Sequence, residues 1–402
     1  MLELTATTEA GARLVALAER LAEALASRAA VHDREATFPH ASVDVLKRAG
    51  YFTAPIPQQF GGIGAESVHD IAVASSRLAR GDASVTIGVN MHLAFLLTIV
   101  RRWRAAVVAG QHSRADAFAA SMQEVVRTGM VVASAVSEHG QDLTRPRTTA
   151  TRTASGWRID GRKAFCTMVP AATVISTAVT FVDEDGRERY GYAQIPAGTP
   201  GVEIHDDWDA LGMRASGSHS VTFAGVSLPR SALRGGFAAG DADAYMERNL
   251  LAGLFHASAS LGIAEAAFTQ TARSERIGDD ARARMLVAES AIDLAAARAA
   301  IARAAMLIDD HHAANPTGPG ADDEIVALFA EGQAAKTFVN DAATRVVDRA
   351  LALSGGAGYL NGSPLARAYR DVRAGAFMHP LGANRAYGFL GDIALGRPHE
   401  LR

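Results

Sequence analysis

The chain has 402 residues, 49% hydrophobic and 21% charged, with 40 lysines and arginines against 43 aspartates and glutamates, for a net charge of −3. That is too apolar and too weakly charged for a disordered chain, and it offers no strongly basic face for nucleic acid. The length allows two or three units with large cores, and an alanine-dominated apolar share with only 6% aromatics points to closely packed helices.

From Ala6 to about Arg127 the pattern predicts helices. Leu14, Leu17, Leu21 and Leu25 recur at spacings of three and four, as on one helix face. Phe38 to Gly50 reads as a short helix with an early proline and a terminal glycine. Pro55, Pro57 and Gly61-Gly62-Ile63-Gly64 make a loop, and Glu66–Gly81 and Ala83–Arg104 are further helices. From Met130 to about Ser231 the texture changes to strands. Ala150 to Asp160 alternates around a Ser155-Gly156 turn and predicts a hairpin. Val174–Phe181, Tyr190–Ile195, Val202–His205 and Ser220–Val226 follow as strands. From about Ala242 the pattern is helical again, with long alanine-rich helices over Asn249–Arg273, Ala281–His312 and Asp323–Leu353 and a shorter one near the C-terminus.

The expected architecture is α+β: an N-terminal all-helical domain over 1–129, a central small β-barrel or sandwich over 130–235, and a C-terminal four-helix-bundle domain over 236–402. It lacks the strand–helix alternation of a dinucleotide-binding α/β fold. The one cysteine, Cys166, permits no disulfide within the chain and fits a reducing compartment. Met1-Leu2-Glu3-Leu4-Thr5 lacks the basic region and apolar run of a secretory signal. Apolar runs such as Met130–Ala135 fall well short of the ~20 residues that cross a bilayer. These features predict a cytoplasmic protein without membrane or nucleic-acid partners. Asp309-Asp310-His311-His312 reads as a solvated helix end rather than a metal site, because adjacent histidines face apart on a helix. Cys166 has no neighbouring cation to activate it as a nucleophile.

The helix–strand–helix order and an ordered set of short motifs resemble the acyl-CoA dehydrogenase superfamily over nearly the whole chain. Phe38-Pro39, Ala49-Gly50 and Ile56-Pro57-Gln58-Gln59-Phe60-Gly61-Gly62-Ile63-Gly64 are similar to its "FP…GL…VPEEYGGxG" entry segment. Leu78-Ala79-Arg80-Gly81-Asp82-Ala83-Ser84 is similar to "LARxDAS", and Gly212-Met213-Arg214-Ala215-Ser216 to "GxRxS". Lys336, Gly355-Gly356-Ala357-Gly358-Tyr359, Pro364, Arg367 and Arg370-Asp371 are similar to its C-terminal signature.

The resemblance implies a flavin, FAD or alternatively FMN, between the β-domain and the C-terminal helices of a homotetramer. Ser137-Glu138 stands for the family's "TE" and Phe165-Cys166-Thr167 for its "WIT", so Ser137, Phe165 and Thr167 are expected at the flavin ring. Gly355, Gly356 and Gly358 are expected to approach closely the dinucleotide phosphates of a neighbouring subunit's FAD, as the resemblance implies, and Arg273, in the segment Arg273–Gly278, is the nearest match to a second phosphate contact. Dehydrogenation of an acyl thioester needs a glutamate base. Nine residues after Arg370, where the family commonly has it, stands His379. At the family's other position the register falls on Ala252, and Glu247, five residues away, reaches it only with a gap. His379 and Glu247 are therefore the catalytic candidates, with His92 and Ser218 expected in the substrate pocket. The thioester-contacting loop is shortened to Ser137–Asp142.

Two reactions stay open on this reading. One is α,β-dehydrogenation of an acyl thioester-like substrate, with hydride passing to flavin N5 and electron-transfer flavoprotein as partner. The other is a two-component monooxygenase that receives reduced flavin from a flavin reductase and forms a C4a-hydroperoxyflavin, with His379 assisting. A flavin-free scaffold that keeps the fold is a third reading.

Overall fold

The computed structural model describes residues 2–140, 142–274, 277–398 and 401. Five helices open the chain: α1 Glu9–Glu35, α2 His40–Arg48, α3 Val68–Ala79, α4 Ala83–Val108 and α5 His112–Thr128. Leu14, Leu21 and Leu25 of α1 are buried and Leu17 is half-buried. Thr8 caps α1 by accepting the Gly11 amide, and the hydroxyl of Thr8 in turn donates to Asp70 of α3. α4 begins on Asp82, whose carboxylate accepts the Val85 amide. By length and composition α4 is apolar enough to cross a membrane, although the shorter apolar runs gave no such signal. Most of it is buried inside the protein, as the central helix of the N-terminal layer.

The strands are β1 Val132–Ala135, β2 Thr149–Arg152, β3 Gly156–Lys163, β4 Val174–Val182, β5 Glu188–Pro196, β6 Val202–Ile204, β7 Val221–Pro229 and β8 Leu233–Ala238. The hairpin around Ser155-Gly156 is present as β2–β3, with Arg152 opposite Trp157. The strands join in one mixed sheet, ordered β6-β7-β3-β2-β4-β5-β8, with β1 also on β4. Both β1 and β2 run parallel to β4, β1 along its first half and β2 along its second. β4, with the sequence VISTAVTFV, carries the longest buried run of any strand, as a β-branched run paired on both edges should.

The remaining helices are α6 Ala242–Arg248, α7 Ala252–Ala272, α8 Ala281–Ala314, α9 Asp322–Ser354, α10 Gly356–Tyr359, α11 Pro364–Asp371 and α12 Ala383–Ala394. α7, α8 and α9 pack on one another, and α11 and α12 lie against α9. α7 is buried on nearly every face, because α3, α4, α8 and α9 surround it. Small residues permit this: a Cβ on Gly262 would strike the Ser76 carbonyl of α3.

Candidate active site

A cavity of about 260 Å³ opens where the three regions meet. α4 contributes Ile87 and Met91, and the sheet end contributes Ser134, Val136 and Ser137. Phe165, Thr167 and Ser218 come from two facing loops, Trp208 and Leu211–Met213 from a turn, Arg370 from α11, and Arg373 and Phe377–His379 from the segment after it. Five residues singled out from the sequence therefore share one cavity: Ser137, Phe165, Thr167, Ser218 and His379.

The loops are locked together through their backbones. The Cys166 amide donates to the His219 carbonyl and the Met168 amide to the Ser216 carbonyl. Hydroxyls then form a chain, Thr167 Oγ1 to Ser218 Oγ at 2.9 Å and Ser218 Oγ to Ser216 Oγ at 2.7 Å. Phe165, Met168 and Met213 all hold positive φ values, 56°, 65° and 52°. Such strain costs of order 1–3 kcal/mol each and concentrates where the surroundings impose a functional geometry. Here it turns the Phe165 ring outward, 61% exposed, edge-on to Trp208 with ring centroids 6.1 Å apart. Cys166, between two cavity residues, points the other way into the sheet core, where burial pushes its thiol up to about 12. Glu138 also points away: buried against Lys163 at 2.6 Å, it accepts the Arg147 and Thr148 amides and fixes the loop behind Ser137.

His379 follows α11 and precedes Pro380. Its Nε2–H donates to Asn249 Oδ1 at 2.8 Å, which leaves Nδ1 as an acceptor. Burial first, and then the nearby Lys336 ammonium, brings its pKa down to about 3. Lys336 Nζ donates to the Met378 and Leu381 carbonyls, at 2.6 Å for Leu381, and so holds the loop that carries the histidine. Burial lowers Lys336 itself to about 7. His256 of α7 lines the same cavity, and burial lowers it to about 3.

The other sequence candidates lie elsewhere. His92 is fully buried in the helical core, its Nε2–H donating to the Phe52 carbonyl and its Nδ1 accepting the Val132 amide. It joins α4 to β1 and does not line the cavity. Glu247 is exposed on α6, on the solvent side of the helix that presents Asn249. Arg273 is exposed at the end of α7, and Gly355 and Gly356 are exposed at the end of α9, where Gly355 takes a φ of 64°. Gly358 lines a separate cavity of about 510 Å³ between the ends of α7 and α9 that shares no lining residue with the first. Glu275, Arg276 and Gln141, within the segments expected to contact phosphate and thioester, lie outside the described residues. Asp309 to His312 is a solvated helix end only at the exposed Asp310. Asp309 caps α3 through the Val68 and His69 amides, His311 pairs with Glu324 at 2.8 Å, and Arg101 donates to His312 at 2.9 Å.

His256 and Asn249 were missed from the sequence. A histidine within the apolar run Leu254-Phe255-His256-Ala257 is the one trace His256 leaves there, and Asn249 gains its role through a partner 130 residues away.

Acyl-CoA dehydrogenase N-terminal, middle and C-terminal domain models match residues 8–106, 133–226 and 235–383. The chain belongs to the acyl-CoA dehydrogenase superfamily. It is 34% identical to amino sugar nitrososynthase DnmZ of Streptomyces peucetius, over 97% of this chain and 95% of that protein. It is 26% identical to the human mitochondrial short-chain specific acyl-CoA dehydrogenase, over 86% of this chain and 80% of that protein. The solved structure of KijD3 with FMN and dTDP-3-amino-2,3,6-trideoxy-4-keto-3-methyl-D-glucose superposes with a TM-score of 0.88 at 31% identity, covering 98% of this chain and 96% of that one.

The protein is thus a flavin-dependent oxidoreductase of this superfamily, with FAD or FMN as cofactor. The cavity fits the group. A flavin ring needs a flat apolar wall and hydrogen-bond partners along one edge. The outward Phe165 ring supplies the first, and the hydroxyls of Ser137, Thr167 and Ser218 supply the second.

Proposed function

We propose that this protein is a two-component flavin monooxygenase that oxidises the amino nitrogen of an amino sugar, using reduced FMN delivered by a separate flavin reductase. The observation that carries the reading is that, among the described residues, no aspartate or glutamate lines the cavity. Acyl thioester dehydrogenation requires a base strong enough to keep the α-proton it removes. His379, at the position where the superfamily commonly has glutamate, is held near a pKa of 3 by an apolar wall and Lys336, and keeps a proton poorly.

N-oxygenation asks for less. The amine nitrogen is itself the nucleophile, and it must be neutral and correctly aimed. Neutral His379, with Nε2–H committed to Asn249, offers Nδ1 to an amine N–H and orients the nitrogen lone pair. The reduced flavin supplies the two electrons that split dioxygen into one inserted oxygen atom and one water. Two such insertions carry an amine through a hydroxylamine to an N,N-dihydroxyamine, which loses water to leave a nitroso group. The nitrososynthase relatives support the substrate class, at 34%, 33% and 31% identity. KijD3's FMN supports FMN over FAD. The reading includes a homotetrameric assembly.

Incubation with a flavin reductase, NADH, FMN and ¹⁸O₂ tests it, with a nucleotide-linked amino sugar as substrate. The expected product carries ¹⁸O on nitrogen. Anaerobic desaturation of an acyl-CoA with an artificial electron acceptor, without any N-oxidation in air, would overturn it.

A further inference from the structure

Two histidines face the main cavity from the C-terminal region, His379 from the segment after α11 and His256 from α7. The residues fitted to the flavin ring, Phe165, Thr167 and Ser218, come instead from the loops of the sheet. His379 has a partner in Asn249, but the His256 ring has no role assigned to it so far. It is 6% exposed, and its Nδ1 is buried without a hydrogen-bond partner. Buried polar atoms are normally paired, and one left open in a cavity wall is suited to a ligand. The setting of this ring is rigid. Leu254 and Phe255 beside it are fully buried, and the Phe255 carbonyl accepts Asn90 Nδ2–H of α4 at 2.9 Å, which pins α7 at this turn. Ala252, one turn earlier on the same face, lines a neighbouring chamber that shares His379 with the main cavity. The two rings are also close enough to sense each other: burial first, then Lys336, then His379 lowers His256 to about 3. Both are therefore neutral acceptors at working pH.

We infer that His256 is the second anchor of the substrate nitrogen: His379 Nδ1 accepts one N–H of the amine, the His256 ring accepts the other, and the pair keeps the nitrogen in place through both oxidations. This inference rests on the N-oxygenase reading. A primary amine has two N–H donors, and His379 has only one nitrogen free to accept. In the first oxidation dioxygen and the two hydrogens of reduced FMN turn R–NH2 into R–NH–OH, with one water and oxidised FMN. The hydroxylamine again has two donors, one N–H and one O–H. In the second oxidation the same inputs give R–N(OH)2 and one water, and the two donors are now both O–H. Loss of water from R–N(OH)2 leaves R–N=O, which has no donor at all. A pair of neutral acceptors therefore suits the amine and each oxidised form in turn, and both hydrogen bonds end together at the nitroso product. A single acceptor would hold the hydroxylamine by one bond and let it escape before the second oxidation.

Product analysis of the reductase-coupled ¹⁸O₂ assay, for the wild type, His256→Phe, His256→Leu and His256→Gln, tests this. Expected in either apolar variant is a rise of about 10-fold in the ratio of hydroxylamine to nitroso product, the effect of one lost hydrogen bond. His256→Gln restores an acceptor oxygen and should recover most of the nitroso product. FMN affinity, read by fluorescence titration of the intact protein, should be unchanged in all three variants, as should circular dichroism. A wild-type product ratio in a folded apolar variant overturns the inference. A fall in FMN affinity in all three variants also overturns it, by giving His256 to the cofactor. Failure of the wild type to oxidise nitrogen at all is a separate result, which would sink the proposed reaction and this assignment with it.

Discussion

Folding strips water from the ring of His379 and brings the Lys336 ammonium near it, so the neutral ring persists down to about pH 3. The unfolded chain protonates the same ring near 6.5, so below that pH it binds the extra proton and the folded state loses stability as pH falls. One such histidine costs the native protein about 2 kcal/mol between pH 7 and 5. His379→Gln removes that titration. Its fall in thermal midpoint over this interval should be shallower than that of the wild type, and an identical slope would show that His379 is not buried neutral. The same variant should lower N-oxidation ~10²-fold while FMN still binds. At Phe165 the expectation is a split. Phe165→Gly relieves the cost of φ 56°, and since the ring is mostly exposed, little burial is lost. Thermal stability should hold or rise while flavin affinity falls, a combination that differential scanning calorimetry and flavin titration read directly.

At the scale of elements, the site depends on how closely the turn before β7 packs on the end of α11. A Cβ at Gly212 would overlap the Arg370 carbonyl, and Met213, the next residue, gives its amide to Asp371 at 2.6 Å. Arg370 in turn grips Asp33 of α1 with two hydrogen bonds, at 2.8 and 2.6 Å. Gly212→Ala must push backbone from backbone and should destabilise by about 1–3 kcal/mol, read by urea denaturation. The turn carries Trp208 and Leu211, so bound flavin should be lost along with the stability. The β2–β3 hairpin and the long helices were legible in the sequence because alternation and helical spacing are local signals. β8 was not, because Leu233–Ala238 carries two glycines in its middle and is a strand through its pairing with β5. The site residues divided in the same way. Phe165, Thr167 and His379 follow from motif position, whereas His92 has the right residue type on the right helix and faces the core. Its ring is claimed by Phe52 and Val132, a fact of packing that spacing on α4 does not carry.

For the whole molecule, the cavity needs all three regions at once: α4 from the first, the loops of the sheet from the second, and α7 with the 370–379 segment from the third. The outer faces of the C-terminal helices leave Met285, Ile292, Met306, Phe338, Tyr387 and Leu395 exposed, more apolar surface than isolated helices in water usually carry. Phe377, 83% exposed, stands at the cavity mouth and likewise lacks cover. Association into the homotetramer of the proposed reading would cover them, and multi-angle light scattering should then give four times the 42.1 kDa chain mass. A monomer at micromolar concentration would leave these side chains unexplained.

The inward turn of Cys166 gives the unaltered protein its own reporter. Phe165 and Thr167 face the cavity, so the wall between cavity and sheet core is one residue thick at the thiol. A thiol-reactive dye cannot reach it while that wall is closed, and no other cysteine competes for the dye. The rate of labelling then counts how often the wall opens, and its slowing as flavin is added measures how firmly the cofactor holds the wall shut.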